Sequence, residues 1–170
     1  MPIKETAPIK KFICAVPDAW KQIMLASGAP LFSQLNVLVV DDMPAIRRML
    51  RQMLMSLGVR GRIDESADGV EAWEALQEQT YDLVICDINM PRLNGLELLK
   101  RFRALPKYQT TPFLMITGEV SEKVVAAAAE SEVDGYLLKP FKLSALENRL
   151  RAIIKKNNIP AGGKDSIPKP

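Results

Sequence analysis

The chain has 170 residues, 48% of them hydrophobic, which suffices for one ordinary domain with a real core plus tails and is too short for two full-sized domains. No apolar run approaches the ~20 residues of a membrane span, and the start MPIKETAPIKK has neither the apolar stretch nor the cleavage site of a signal peptide. With no histidine and two isolated cysteines, Cys14 and Cys86, a zinc site lacks ligands, so the expectation is a cytoplasmic protein with reduced thiols. The net charge of +3 belongs to the ends: residues 1–35 and 155–170 together carry about +5, and residues 36–154 about −2. Lysines scattered through polar tails, with no basic face on the domain, argue against direct nucleic-acid binding.

Residues 1–35 form an N-terminal extension in which Pro17-Asp18 opens a short helix-like stretch with Trp20, Ile23 and Met24 on one side. It reads as a mini-helix docked on its own domain or as a partner-binding helix, and the sequence leaves both open. From Asn36 short apolar runs alternate with helix-period segments. NVLVV at 36–40 is a buried strand, followed by a helix with Ile46, Met49, Leu50, Met53, Leu54 and Leu57 on one face and Gly58 as its stop. Residues 62–66 make a weaker strand. Val70, Trp73 and Leu76 then mark a short helix, and DLVIC at 82–86 a second strong strand. A loop with Pro91 and Gly95 leads to a helix carrying Leu96, Leu99 and Phe102, and FLMIT at 113–117 is the fourth strand. An alanine-rich helix over 121–131, the strand GYLLK at 135–139 and a helix with Leu143, Leu146, Leu150, Ile153 and Ile154 complete the pattern.

Five strands and five helices in strict alternation, joined by right-handed crossovers, predict an α/β fold: a three-layer, doubly wound parallel sheet of the flavodoxin-like order 2-1-3-4-5. Ligands bind such sheets at the strands' C-terminal ends, which here are Asp41-Asp42, Asp87, Thr117 and Lys139. Three carboxylates at one edge repel each other unless a hard cation intervenes, and Mg²⁺ favours such oxygen ligands. Taken singly, Asp42 before Pro44 reads rather as a helix cap, and Thr117 could be a cap and Lys139 a solvated lysine. Lys139-Pro140 at a strand end fits a cis bond.

VLVVDD with Arg47-Arg48 after it, DGVEAW, DLVICDINMPRLNGLELL, FLMITGE and GYLLKPF together resemble the receiver domains of two-component response regulators, most of all the CheY-like chemotaxis regulators. The resemblance runs over about 36–154, five motifs in order. It implies that Asp87 is the phosphoacceptor, Asp42 a direct Mg²⁺ ligand, Asp41 the holder of metal-bound water and Asn89 the contributor of a backbone carbonyl. It further implies that Thr117 and Lys139 contact the phosphoryl oxygens, that Tyr136 reorients on activation, that Pro140 follows a cis bond, and that Asn89 and Glu119 tune dephosphorylation. Met43, Pro44 and Gly118 depart from the family pattern and read as tuning.

With no histidine in the chain, the phosphoryl group has to come from a separate sensor histidine kinase, a phosphotransfer protein or a small phosphodonor. The expected role is a signalling switch and not an enzyme in the ordinary sense, its receiver domain spanning 36–156 and its output a protein target on the 121–156 face. Residues 157–170 read as a flexible tail or linker. The receiver part of a larger regulator is the alternative. A flavodoxin-like cofactor carrier shares the topology, but the acidic DDMPAIRR after the first strand would repel a flavin phosphate.

Overall fold

The computed structural model describes residues 32–118 and 133–157. The chain divides into two units, Met1–Leu31 and Phe32–Pro170. The first, with its expected mini-helix and Cys14, lies outside the described residues, as do Glu119, the helix expected over 121–131 and the end of the tail.

The second unit is built on a five-stranded parallel sheet: β1 (Val37–Val40), β2 (Ile63–Ser66), β3 (Leu83–Asp87), β4 (Phe113–Thr117) and β5 (Gly135–Leu138), in the order β2-β1-β3-β4-β5. That is the expected order. Among the described residues four helices join it: α1 (Pro44–Ser56), α2 (Gly69–Glu78), α3 (Gly95–Ala104) and α4 (Leu143–Asn157), with a 3-10 turn at Pro106–Tyr108. None of them is long and apolar enough to cross a membrane.

The central strands β1, β3 and β4 are buried at every position, which is why they read as unbroken apolar runs. Successive side chains point to opposite faces. Leu38, Val40, Val84, Cys86, Phe113 and Met115 pack on one face with Ala72 and Leu76 of α2 and Leu98, Leu99 and Phe102 of α3. Phe102 stacks on Tyr108 and meets Phe113 edge-on. The alternate set, Val37, Val39, Ile85, Leu114 and Ile116, is left for α1 and α4, whose buried residues are Leu50, Leu54, Leu146, Leu150 and Ile153. Each such side chain contributes about 1.5–3 kcal/mol by leaving water. In α3 the buried stripe is Gly95, Leu98, Leu99 and Phe102, so Leu98 takes the core position and Leu96 is half-buried. In α4, Leu143, which read as part of the apolar face, is exposed.

β1 and β2 begin one residue later than the sequence reading, at Val37 and Ile63, β5 ends one earlier at Leu138, and two further boundaries differ because of tertiary contacts. Asp82 precedes β3 and accepts a hydrogen bond from the Asn36 amide, so the strand runs one residue later and ends on Asp87 itself. Residues 32–35, which read as the end of the extension, belong to this unit. Phe32, Ser33 and Leu35 are buried, the Ser33 carbonyl accepts from the amides of Arg60 and Gly61, and the Arg151 guanidinium lies over the Phe32 ring. Their anchoring is tertiary, and PLFSQ carries no periodic signal that would reveal it.

The turn into α3 passes directly under Asp87. A Cβ on Gly95 would stand 2.2 Å from the Asp87 carbonyl oxygen, whereas one on Gly118 would meet nothing within 4 Å. Alanine is the better helix former by about 1 kcal/mol, but overpacking against rigid backbone outweighs that. Gly95→Ala should therefore lower stability by about 2 kcal/mol or more and Gly118→Ala should be within about 0.5 kcal/mol of wild type, as read from urea unfolding midpoints.

Candidate functional site

Because β1, β3, β4 and β5 are neighbours, their C-terminal ends share one edge. Asp41 follows β1, Asp87 ends β3 opposite Ile116, Thr117 ends β4 opposite Leu138, and Lys139 follows β5. The backbone continues the ladder beyond the strands, with the Asp41 amide donating to the Ser66 carbonyl and the Lys139 amide to the Thr117 carbonyl at 2.8 Å. The Lys139-Pro140 peptide is cis, as the sequence led one to expect. Asp41, Asp87 and Thr117 are all buried, at 0%, 5% and 1% exposure.

Lys139 is no solvated lysine. Its Nζ lies 2.7 Å from Asp41 Oδ2 and 3.0 Å from Asp87 Oδ1, bridging the two carboxylates. Asp41 is further fixed by the Met43 amide, which donates to its Oδ1 at 2.9 Å, and by Arg47, whose Nη1 donates to its carbonyl. Asp42 is exposed and does not cap α1: the cap position is Met43, which makes no side-chain bond, so the capping alternative for Asp42 falls away. Asn89 is exposed, and no hydrogen bond engages it among the described residues. Tyr136 is half-buried beside the α2/α3 core, and its hydroxyl is buried with no partner among the described residues.

The electrostatics follow from burial and crowding. Burial pushes the Asp87 carboxyl above its ordinary value, and the charges of Asp41 and Asp42 push the same way against the Lys139 ammonium. For Lys139 burial acts to lower the value, but the hydrogen bonds and charges of Asp41 and Asp87 prevail and raise it. The buried Cys86 thiol is pushed well up, chiefly by desolvation and then by Asp87 and Asp41, so it stays a neutral thiol and donates to the Asp87 carbonyl. Three carboxylates against one ammonium leave a deficit that one divalent cation balances. Among the described residues no three acidic or thiol side chains converge into a ready-made cage. An ion here would rest on few carboxylates, a carbonyl and water, the manner of Mg²⁺.

A response regulator receiver domain model matches residues 37–151. The chain belongs to the response-regulator receiver domain family. It is 35% identical over 128 residues to the chemotaxis protein CheY-3 of Vibrio cholerae serotype O1, covering 75% of this chain and 98% of that one. It is 37% identical over 121 residues to a CheY homolog of Campylobacter jejuni, covering 71% and 92%. The solved structure of Vibrio cholerae CheY4 matches with a TM-score of 0.66 at 34% identity, over 71% of this chain and 99% of that one. The receiver domain of a sensor histidine kinase from Pseudomonas aeruginosa, solved with a magnesium ion coordinated in its active-site cleft, matches with a TM-score of 0.64 at 28% identity, over 71% and 98%. As a receiver domain, this chain is a phosphoryl-accepting signalling module.

The sequence reading missed three parts of the receiver site's surroundings. These are the hold of Arg47 on the Asp41 carbonyl, the close approach of Gly95 to Asp87, and an ion pair between Asp68 and Arg92. Asp68 ahead of a helix with Glu71 three positions on was a readable capping signal; the other two had none. A group whose folded value is raised favours the fold below its unfolded pKa and loses that favour as pH rises through the folded one. Asp87→Asn should thus raise the melting temperature of the ion-free protein at neutral pH, with the gain shrinking as pH falls into the carboxylate range. A loss at neutral pH would contradict this electrostatic account.

Proposed function

We propose that Asp87 is the residue of this receiver domain that accepts the phosphoryl group. The observation that carries the reading is the Lys139 ammonium held 3.0 Å from the Asp87 carboxylate inside a buried edge shared with Asp41 and Thr117. An Asp87 carboxylate oxygen forms the bond to phosphorus while the donor's P–N or P–O bond breaks, the leaving group taking the electron pair and a proton from water. The ionised carboxylate needs no general base. The donor imidazole lies outside these 170 residues, in a sensor histidine kinase or a phosphotransfer protein.

Asp42, Asp87 and the Asn89 carbonyl would hold Mg²⁺, with Asp41 ordering its water, and the ion would supply charge neutralisation for the phosphoryl oxygens. The protein's own share is positioning and charge. Lys139 pairs with the phosphoryl oxygens and the Thr117 hydroxyl donates to them. Drawing Thr117 toward Asp87 vacates space that the Tyr136 ring, whose hydroxyl has no partner tying it down among the described residues, is free to fill. The output face then takes in β5 and α4 within the stretch 121–156, where Leu138 and Leu143 are exposed for a downstream protein. Moving a resting population of one in a hundred to near saturation needs on the order of 5 kcal/mol, which ion, Lys139 and Thr117 supply together and one hydrogen bond does not. Asn89 and Glu119 set the phosphate lifetime. The working molecule is a cytoplasmic switch that promotes its own phosphorylation and dephosphorylation, with receiver 36–156, extension 1–35 and tail 157–170. As part of a larger regulator it would use the same site.

With a small acyl-phosphate donor and Mg²⁺ the protein should gain one phosphate by mass spectrometry. Asp87→Ala should gain none; a phosphate retained by that variant contradicts the assignment. Asp42→Ala should need roughly tenfold or more Mg²⁺ for the same rate. Thr117→Ala should still be phosphorylated, yet shift few backbone resonances outside the Asp87 loop.

A further inference from the structure

The loop from Ile88 to Asn94, between β3 and α3, carries Asn89 between two buried anchors. Ile88 and Met90 are buried, the Ile88 amide donates to the Ile116 carbonyl, and the Gly95 amide returns to the Ile88 carbonyl at 3.0 Å. Farther along, the Leu93 amide donates to the Pro91 carbonyl at 2.8 Å, closing a three-residue turn around Arg92. Arg92 has φ 65°, the left-handed region, and is the only non-glycine residue there among the described residues. An L-residue at the centre of such a turn is strained and persists only where its surroundings hold it.

What holds it is a carboxylate on another element. Arg92 Nε donates to Asp68 Oδ2 at 2.6 Å, Nη2 donates to the same oxygen, and Nη2 also reaches Glu71 Oε1 at 3.4 Å. Asp68 is itself immobile: it is buried, and its other oxygen, Oδ1, caps α2 by accepting from the amides of Val70 and Glu71. Burial works against its ionisation, but those amides and Arg92 outweigh it and hold its carboxyl below the ordinary value. A second tie runs in parallel, the Gly69 amide donating to the Leu93 carbonyl, where a Cβ on Gly69 would stand 2.3 Å from that oxygen. The loop is thus clamped to the start of α2 at the centre of the turn and at the residue that closes it.

We propose that Arg92 is a positioning residue for the phosphorylation site: its ion pair with Asp68 holds the strained turn that fixes the Asn89 carbonyl where the divalent ion is bound. This rests on the reading of Asn89 given above. The guanidinium's partners are Asp68 and Glu71, on α2 and its cap and not at the site, so its effect has to pass through the loop, and it would appear as a change in ion affinity larger than any change in global stability.

The test is a Mg²⁺ titration by isothermal calorimetry, paired with backbone ¹⁵N relaxation of the ion-free protein and a melting curve for each variant. Arg92→Ala keeps an L-residue in the turn without the latch. Asp68→Asn keeps the oxygen that caps α2 without the charge. Each should raise the Mg²⁺ Kd about tenfold and give the amides of Asn89, Met90 and Arg92 fast motion absent from wild type, while melting changes little. The double variant should be no worse than either single one. Arg92→Lys, which restores a cation opposite Asp68, should recover part of the affinity. A Kd within twofold of wild type in Arg92→Ala and Asp68→Asn, whether or not melting falls, overturns the proposal, since a merely structural contact would behave that way. A wild type that binds no Mg²⁺ overturns the functional reading and this proposal together, whereas a wild type that binds it no better than the variants overturns this proposal alone.

Discussion

The Lys139 ammonium between Asp41 and Asp87 is the contact on which the rest of the site depends. Lys139 lies 98 positions along the chain from Asp41, one of the two buried carboxylates it holds, so only the assembled sheet brings them together. Two like charges 4 Å apart repel by about 4 kcal/mol at an effective dielectric of 20, and burial adds the loss of water around each. The lysine offsets part of this and leaves the site short of positive charge, with Asp42 adding one more negative group at its rim. That imbalance is the physical content of a receiver site at rest. On the proposed reading it would draw in a divalent ion and then a phosphoryl group, whose oxygens would meet cations already in place.

Rigidity beneath the charges is what lets so small an event carry. Asp87 ends a strand buried at every position, its carbonyl is packed against Gly95 of α3, and the residue after it is hydrogen-bonded across to β4. A phosphoryl group on Asp87 has little room to be absorbed by backbone movement at that end. The softer side is β5, an edge strand where Tyr136 is half-buried with its hydroxyl unpartnered among the described residues and Leu138 is exposed. Close-packed cores shift between discrete arrangements. On the proposed reading the change would run from Asp87 through Thr117 toward β5, with the Arg92–Asp68 pair holding the loop that follows Asp87.

Much of this was legible in residues whose signal is local. The fully buried strands read as apolar runs because both faces are covered, and acidic, hydroxyl and lysine residues at four strand ends point to one edge in a parallel sheet. What stayed hidden depends on residues far apart. Asp42 looked like a cap because Pro44 follows it, but the chain turns so that Asp41 takes the Met43 amide and Asp42 faces water. Leu98 replaced Leu96 in the core because the α3 stripe starts from Gly95, whose place under Asp87 no periodicity announces. Phe32 lies under the Arg151 guanidinium, the Leu35 carbonyl packs against Gly61, and Arg92 finds Asp68 across 24 positions, so none of these could be seen in a window of sequence.

The central claim, that one lysine holds two carboxylates of a charge-deficient phosphorylation site, is tested most directly by observing that ammonium. In ¹⁵N-detected NMR of the ion-free protein at neutral pH, Lys139 should give a slowly exchanging Nζ signal with hydrogen-bond correlations to the carboxylates of both Asp41 and Asp87. Adding Mg²⁺ and a phosphoryl mimic should move that signal and weaken its correlation to Asp87 as the mimic's oxygens take its place. A Lys139 signal lost to rapid solvent exchange, or one that ignores both additions, would contradict the account.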